Sequence, residues 1–172
     1  MNKSYPTLER PLAVRALLPR RCEPGFTLVE LLTVITIIGV LAAIAGPSFN
    51  DFIIQQRIRT AAFDLMADLT FARSEAIKRN ATVNVTKAGT WTGGWSVTDS
   101  ATTPKVLRQH PAFSDTVTIT MGSNSVGFAL NGRASPAASF VIDDAGGKST
   151  IEARYICVDL SGRPRATTSS CT

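Results

Sequence analysis

The sequence predicts an α+β protein: a long, kinked N-terminal helix whose first half is transmembrane, packed on an antiparallel β-sheet or β-sandwich C-terminal domain. Three observations predict it. Residues 26–45 read FTLVELLTVITIIGVLAAIA, with Glu30 as the single ionisable side chain. Residues 48–80 keep apolar side chains at helical spacing and contain no Gly or Pro. Beyond Asn80 the pattern changes to short alternating runs broken by Gly, Pro and Asn, which is the signature of strands and turns.

The twenty-residue apolar run is long enough to cross a bilayer as a helix. Arg20 and Arg21 precede it, so the positive-inside rule places residues 1–25 in the cytoplasm and everything after Pro47 outside, after a single pass. A cleavable secretory signal would have a shorter apolar stretch ending at a small-residue site. A carboxylate at that depth costs roughly 2.5–3.5 kcal/mol, so Glu30 needs a partner. No basic residue lies between Phe26 and Asp51. An amine made by cutting the chain just before Phe26, on this subunit or a neighbour, would supply one.

These residues carry a family resemblance. GFTLVELL, with Gly25 before Phe26 and Glu30 fifth in the cut chain, resembles the class III signal of type IV pilins and pseudopilins. The resemblance implies a pilin-like fold and a leader, residues 1–25, removed by a prepilin peptidase that cuts after Gly25 and methylates the Phe26 amine. It also implies that residues 26–46 serve as membrane anchor and assembly helix, with Glu30 acting in assembly. Pro47 matches the helix-kinking proline of these proteins. The implied partners are the inner membrane, the peptidase and other major and minor pilins, in a pilus that reaches the cell surface.

Residues 47–80 form the amphipathic half of the helix. Ile58, Ala61, Leu65, Leu69, Ala72 and Ala76 make one apolar stripe, while Arg57, Asp64, Asp68, Arg73 and Lys78 fall largely elsewhere. From Phe26 to Arg79 a continuous helix would measure roughly 80 Å. Residues 81–172 form the β-rich domain, with strands expected at 82–86, 94–98, 105–109, 116–120, 125–130, 139–143 and 153–160. Asn131-Gly132 and Gly146-Gly147 suit hairpin turns. The segment LTFARSEAIKRN resembles the GspH/FimT branch of minor pilins and pseudopilins. The same residues have an ordinary structural use, because Glu75 and Arg79 are i,i+4 partners and the alanines let a helix lie close to a sheet.

With 18 Lys+Arg, 13 Asp+Glu and 44% apolar residues, the chain supports one domain core and is neither a long disordered chain nor collagen-like. Five basic residues and two acidic ones lie in the leader, so thirteen and eleven remain after it. The mature chain is therefore not generally basic, and a polyanion would have to be held by a local patch. Cys22 lies in the leader, which leaves Cys157 and Cys171 as a pair. Their disulfide would stabilise the fold by about 3 kcal/mol in an oxidising compartment. No metal site is expected: zinc would need more ligands, His110 beside Pro111 reads as a solvated loop residue, and Asp143-Asp144 reads as a polar turn. No catalytic motif and no cofactor fingerprint is present, so no enzyme is expected. Trp91 and Trp95 could stack on bases or pack under a loop.

The most informative stretch is CVDLSGRPRATTSSC. Its disulfide would close a loop carrying Arg163 and Arg165 against one acidic residue, Asp159. Gly162 permits an unusual turn and Pro164 fixes φ between the arginines, so their side chains start from a restrained frame. Guanidinium forks suit phosphate oxygens, although two such contacts alone give a weak, salt-sensitive interaction. GRPR matches the GRxR element in the C-terminal loop of FimT-type minor pilins. That resemblance implies non-specific binding of the DNA backbone by Arg163 and Arg165 during natural transformation, with Gly162 shaping the turn. Lys148, Arg154 and Arg133 are further candidates by charge and proximity in sequence. The alternative is a GspH-like type II secretion pseudopilin or a FimU-like priming subunit, whose arginines are solvated or meet a neighbouring subunit.

Overall fold

The computed structural model describes residues 25–171, so the expected leader, Cys22 included, lies outside the described residues apart from Gly25. Contacts divide the chain into two compact units, the first ending at Val40 and the second starting at Leu41. In the first unit, helix α1 (Leu28–Arg79) opens with a capping box. The Thr27 hydroxyl accepts the Glu30 N–H at 3.2 Å, and the Glu30 carboxylate accepts the Thr27 N–H at 2.9 Å and its hydroxyl at 3.0 Å. Glu30 thus has a local partner besides any terminal amine. The stretch Leu28–Gly46 is long and apolar enough to cross a membrane and is exposed throughout.

In the second unit α1 ends by a mechanism written in its sequence. Asn80 takes φ 51°, and the N–H groups of Asn80 and Ala81 reach the carbonyls of Ile77 and Ala76, which satisfies the last turn. The six stripe residues from Ile58 to Ala76 are all fully buried. Glu75 pairs with Arg79 at 2.6 Å, and Arg79 also reaches Asp99 at 3.8 Å. That hydrogen bond from Arg79 holds the Glu75 carboxyl below its ordinary range.

Nine strands follow: β1 (Val83–Ala88), β2 (Thr90–Asp99), β3 (Val106–His110), β4 (Val117–Met121), β5 (Ser125–Phe128), β6 (Ala134–Ser135), β7 (Ala138–Asp144), β8 (Arg154–Val158) and β9 (Pro164–Thr167). They form two antiparallel sheets, ordered β3-β2-β1-β5-β6 and β4-β7-β8-β9. Alternate residues such as Val83 and Val85, Val126 and Phe128, and Phe140 and Ile142 face one core with the α1 stripe. Trp91 meets Phe140 edge-on at 4.8 Å, joining the sheets.

Several expectations change. β9 was expected as open loop, yet it pairs with β8 as an edge strand; Pro164 is tolerated there because the first residue of an edge strand owes no ladder donor. Asn131-Gly132 does form a turn, closed by the Gly132 N–H on the Ala129 carbonyl at 2.7 Å. Gly146-Gly147 does not form a tight hairpin. It starts a longer connection that docks on α1 through Lys148 to Asp51 at 2.6 Å and through reciprocal bonds between Gln55 and the Glu152 backbone.

Trp91 and Trp95 are buried, so neither presents a face to a base. Buried Asp68 accepts the Trp95 Nε1–H at 2.8 Å and Arg108 at 2.7 Å, and Arg108 lies 4.1 Å over the Phe71 ring. His110 is not a solvated loop residue. It ends β3, stacks on Trp95 at 4.4 Å and on Phe113 at 4.6 Å, and lies 3.5 Å from Asp64.

Candidate functional site

The turn between β8 and β9 is organised by its one acidic residue. Asp159 accepts through its carbonyl from the Gly162 N–H at 2.9 Å. Its carboxylate accepts the Ser161 N–H at 2.9 Å, the Ser161 hydroxyl, and the Arg163 N–H at 3.4 Å. This is the self-bonding turn that Asp favours. The Ser161 hydroxyl is the main reason that the Asp159 carboxyl lies below its ordinary range; the charge of Arg165 adds to it last. Because that carboxylate is occupied by backbone and hydroxyl groups, it does not pair with either arginine side chain.

Gly162 is required twice over. Its φ is +76°, and a Cβ there would collide with the Gly132 carbonyl oxygen. Gly132, at φ +74°, lies in turn against α1, where a Cβ would come within 2.8 Å of Ile77 Cδ1. Arg73 of α1 donates from Nε to the Gly132 carbonyl at 3.1 Å. The two turns therefore stack glycine on glycine with a helix arginine beneath them.

On this frame Arg163 and Arg165 are exposed, and neither forms an ion pair among the described residues. Register with Cys157 puts Arg165 on the outer face of its sheet. The Cys157–Cys171 disulfide, with Cα atoms 5.6 Å apart, ties the chain after β9 back to β8.

The further candidates separate. Arg133 is exposed and follows Gly132, whose carbonyl lies against Gly162, so the turns that carry Arg133 and Arg163 meet at their glycines. Lys148 is exposed and pairs with Asp51 at 2.6 Å, a bond that raises the lysine above its ordinary range and lowers the carboxyl. Arg154 faces the inner side of the sheet, away from Arg165, because it is paired with buried Ile142. Sequence reasoning missed Arg73 and Gly132, whose contacts join residues far apart in the chain. It also missed the roles of Asp159 and Thr27, which the local patterns Asp-x-Ser-Gly and Thr-x-x-Glu do signal. No cluster of three or more His, Cys, Asp or Glu able to hold a metal occurs among the described residues.

Comparison with known proteins agrees with this architecture. The family model for type II transport protein GspH matches residues 61–162, and the prokaryotic N-terminal methylation motif matches residues 20–46. A fimbrial protein of Pseudomonas aeruginosa is 38% identical over 58 residues, covering 34% of this chain and 38% of that protein. The type IV major pilin protein PilE of Neisseria gonorrhoeae is 30% identical over 115 residues, 64% of each chain. The chain thus spans less than two thirds of the length of these curated relatives. Among solved structures, the type IV minor pilin FimU of P. aeruginosa strain PAO1 is 25% identical with a TM-score of 0.59, covering 70% of this chain and 97% of that one. The minor pseudopilin EpsH of the Vibrio cholerae type 2 secretion system, 11% identical over 64% of this chain and 96% of that one, shares the fold with a TM-score of 0.54. With the GspH model spanning more than half of its length and the methylation motif over its apolar helix, the chain belongs to the GspH family of type IV minor pilins and pseudopilins.

Proposed function

We propose that this protein is a minor type IV pilin of the FimT kind, which assembles into a pilus and binds extracellular DNA through the β8–β9 turn during natural transformation. Prepilin peptidase cuts after Gly25 and methylates Phe26. The mature helix anchors the subunit in the inner membrane with the β-rich domain in the periplasm, then carries it into the fibre alongside other pilins. Arg163 and Arg165 grip backbone phosphates, Arg133 adds a third charge beside them, and Gly162 sets the turn. Arg–phosphate contacts carry no base information, so binding is not sequence-specific.

The observation that supports this reading is that Arg163 and Arg165, at and just after the turn, are exposed and form no ion pair among the described residues, while the Asp159 carboxylate is engaged by Ser161. The test is a salt-dependent DNA titration of the full-length chain in detergent. Arg163→Ala with Arg165→Ala should weaken binding about tenfold at low salt and reduce the slope of log K against log salt by about 1.4–1.8. Unchanged binding would reject the site. A second reading, a FimU-like priming subunit or a GspH-like secretion pseudopilin, draws on the likeness to FimU over 97% of that chain. It expects the same double variant to lose fibre incorporation while DNA binding is absent or unaltered.

A further inference from the structure

β9 is an edge strand with different chemistry on its two faces. Its outer face carries Arg165 opposite Cys157, whereas Ala166 faces inward opposite Ile156, on the side where Arg154 also lies. There a cleft of about 460 Å³ opens between α1 and the sheet, lined by Arg59, Ala62, Phe63, Arg154 and Ala166. Two arginines and no acidic residue are in its lining. Neither arginine forms an ion pair among the described residues. Arg59 is exposed and makes only a 3.5 Å contact to Gln56. The Nε of Arg154 is buried without a hydrogen-bond partner. A buried donor left without a partner is unfavourable, and a small shift of the side chain toward an oxyanion in the cleft would satisfy it.

We propose that the Arg59–Arg154 cleft is a second phosphate site, which takes a backbone phosphodiester of a nucleic-acid strand crossing the free edge of β9. This rests on the DNA-binding reading above and adds to it a place where the strand goes after the arginine turn. The cleft and the outer arginine face lie on either side of the β9 edge and are linked through sequence neighbours, Ala166 lining the cleft and Arg165 facing outward. A phosphodiester offers two non-bridging oxygens to the two arginines of the lining, and the exposed ring of Phe63 gives its sugar an apolar wall. A further phosphate contact beyond those of the turn also answers the weakness of a two-arginine grip.

The experiment uses the full-length chain in detergent and a labelled random-sequence DNA duplex, titrated across a salt series. Wild type is compared with Arg163→Ala/Arg165→Ala, with Arg59→Gln/Arg154→Gln, and with Arg59→Lys/Arg154→Lys. The Gln pair should lower the salt slope by about 0.9, the share of one duplex phosphate, and the Lys pair should retain it. Arg59→Gln alone, on an exposed helix position, should lower the slope by part of that amount and keeps the test valid if the Gln pair fails to fold. If the turn variant loses slope while Arg59→Gln and the Gln pair behave as wild type, the cleft is not a phosphate site and the turn reading stands. Loss of fibre incorporation by the Gln pair with an unaltered DNA titration also overturns the inference, by assigning the cleft to a neighbouring subunit. If the wild type binds no DNA, the turn reading falls first, and the cleft loses its ligand with it.

Discussion

Gly162 shows how much a single residue carries, because its missing Cβ allows both the left-handed turn and the close approach to Gly132. Gly162→Ala should destabilise the protein by about 1–3 kcal/mol, the usual cost of a residue held in a sparsely populated region. It should also weaken DNA binding, since the turn must lift off Gly132. Thermal melts and the DNA titration check both, and a variant matching wild type in each would contradict the docked turn. Asp159 provides a pH test. Its folded carboxyl lies below the ordinary 3.8, so its contribution is present above that value and is lost as the pH falls through the depressed one. Amide exchange at Ser161 and Arg163, corrected for intrinsic rates, should therefore rise on acidification below about pH 4. Asp159→Asn should remove that pH dependence.

At the scale of elements, the β8–β9 hairpin is held on three sides: by strand pairing, by the glycine stack over Arg73, and by the disulfide. Cys157→Ser with Cys171→Ser should lower stability by about 3 kcal/mol through the loop-closure term, read from melts under non-reducing conditions. Wild type under full reduction should match the variant; a midpoint unaffected in both would mean that pairing and the glycine stack suffice. Helix α1 shows what was legible along one element. Its apolar stripe, its Glu75–Arg79 pair and its end at Asn80 follow from residue spacing, which reports local geometry directly. Asp68 is different. Its spacing put it off the stripe, yet it is buried, because Trp95 and Arg108 arrive from the sheet to satisfy its oxygens.

At the scale of the whole molecule, the family assignment makes the N-terminus testable. In cells with prepilin peptidase, mass spectrometry of assembled pili should find N-methylated Phe26 as the first residue; an intact leader there would sink the proposed processing. Glu30 separates two roles. The capping box accepts Gln in place of Glu, so Glu30→Gln keeps the local helix start and removes only the charge. If the carboxylate meets a neighbour's amine, both Glu30→Gln and Glu30→Ala should impair incorporation into the fibre. Normal incorporation of the Gln variant would leave the cap as the residue's whole function.

Sequence alone determined the anchor helix, the amphipathic helix with its buried stripe, the switch to antiparallel strands, and the cysteine pair. Each is a matter of periodicity, apolar run length or parity within a short window, and burial of one face follows from it. Tertiary structure decided the rest. It turned the arginine loop into an edge strand, paired Lys148 with Asp51, moved His110 into an aromatic stack, seated Gly162 on Gly132, and set Arg59 and Arg154 along one cleft. These are meetings between residues tens of positions apart. Which charges stay free and which are neutralised depends on how the core brings distant segments together, and no local pattern records it.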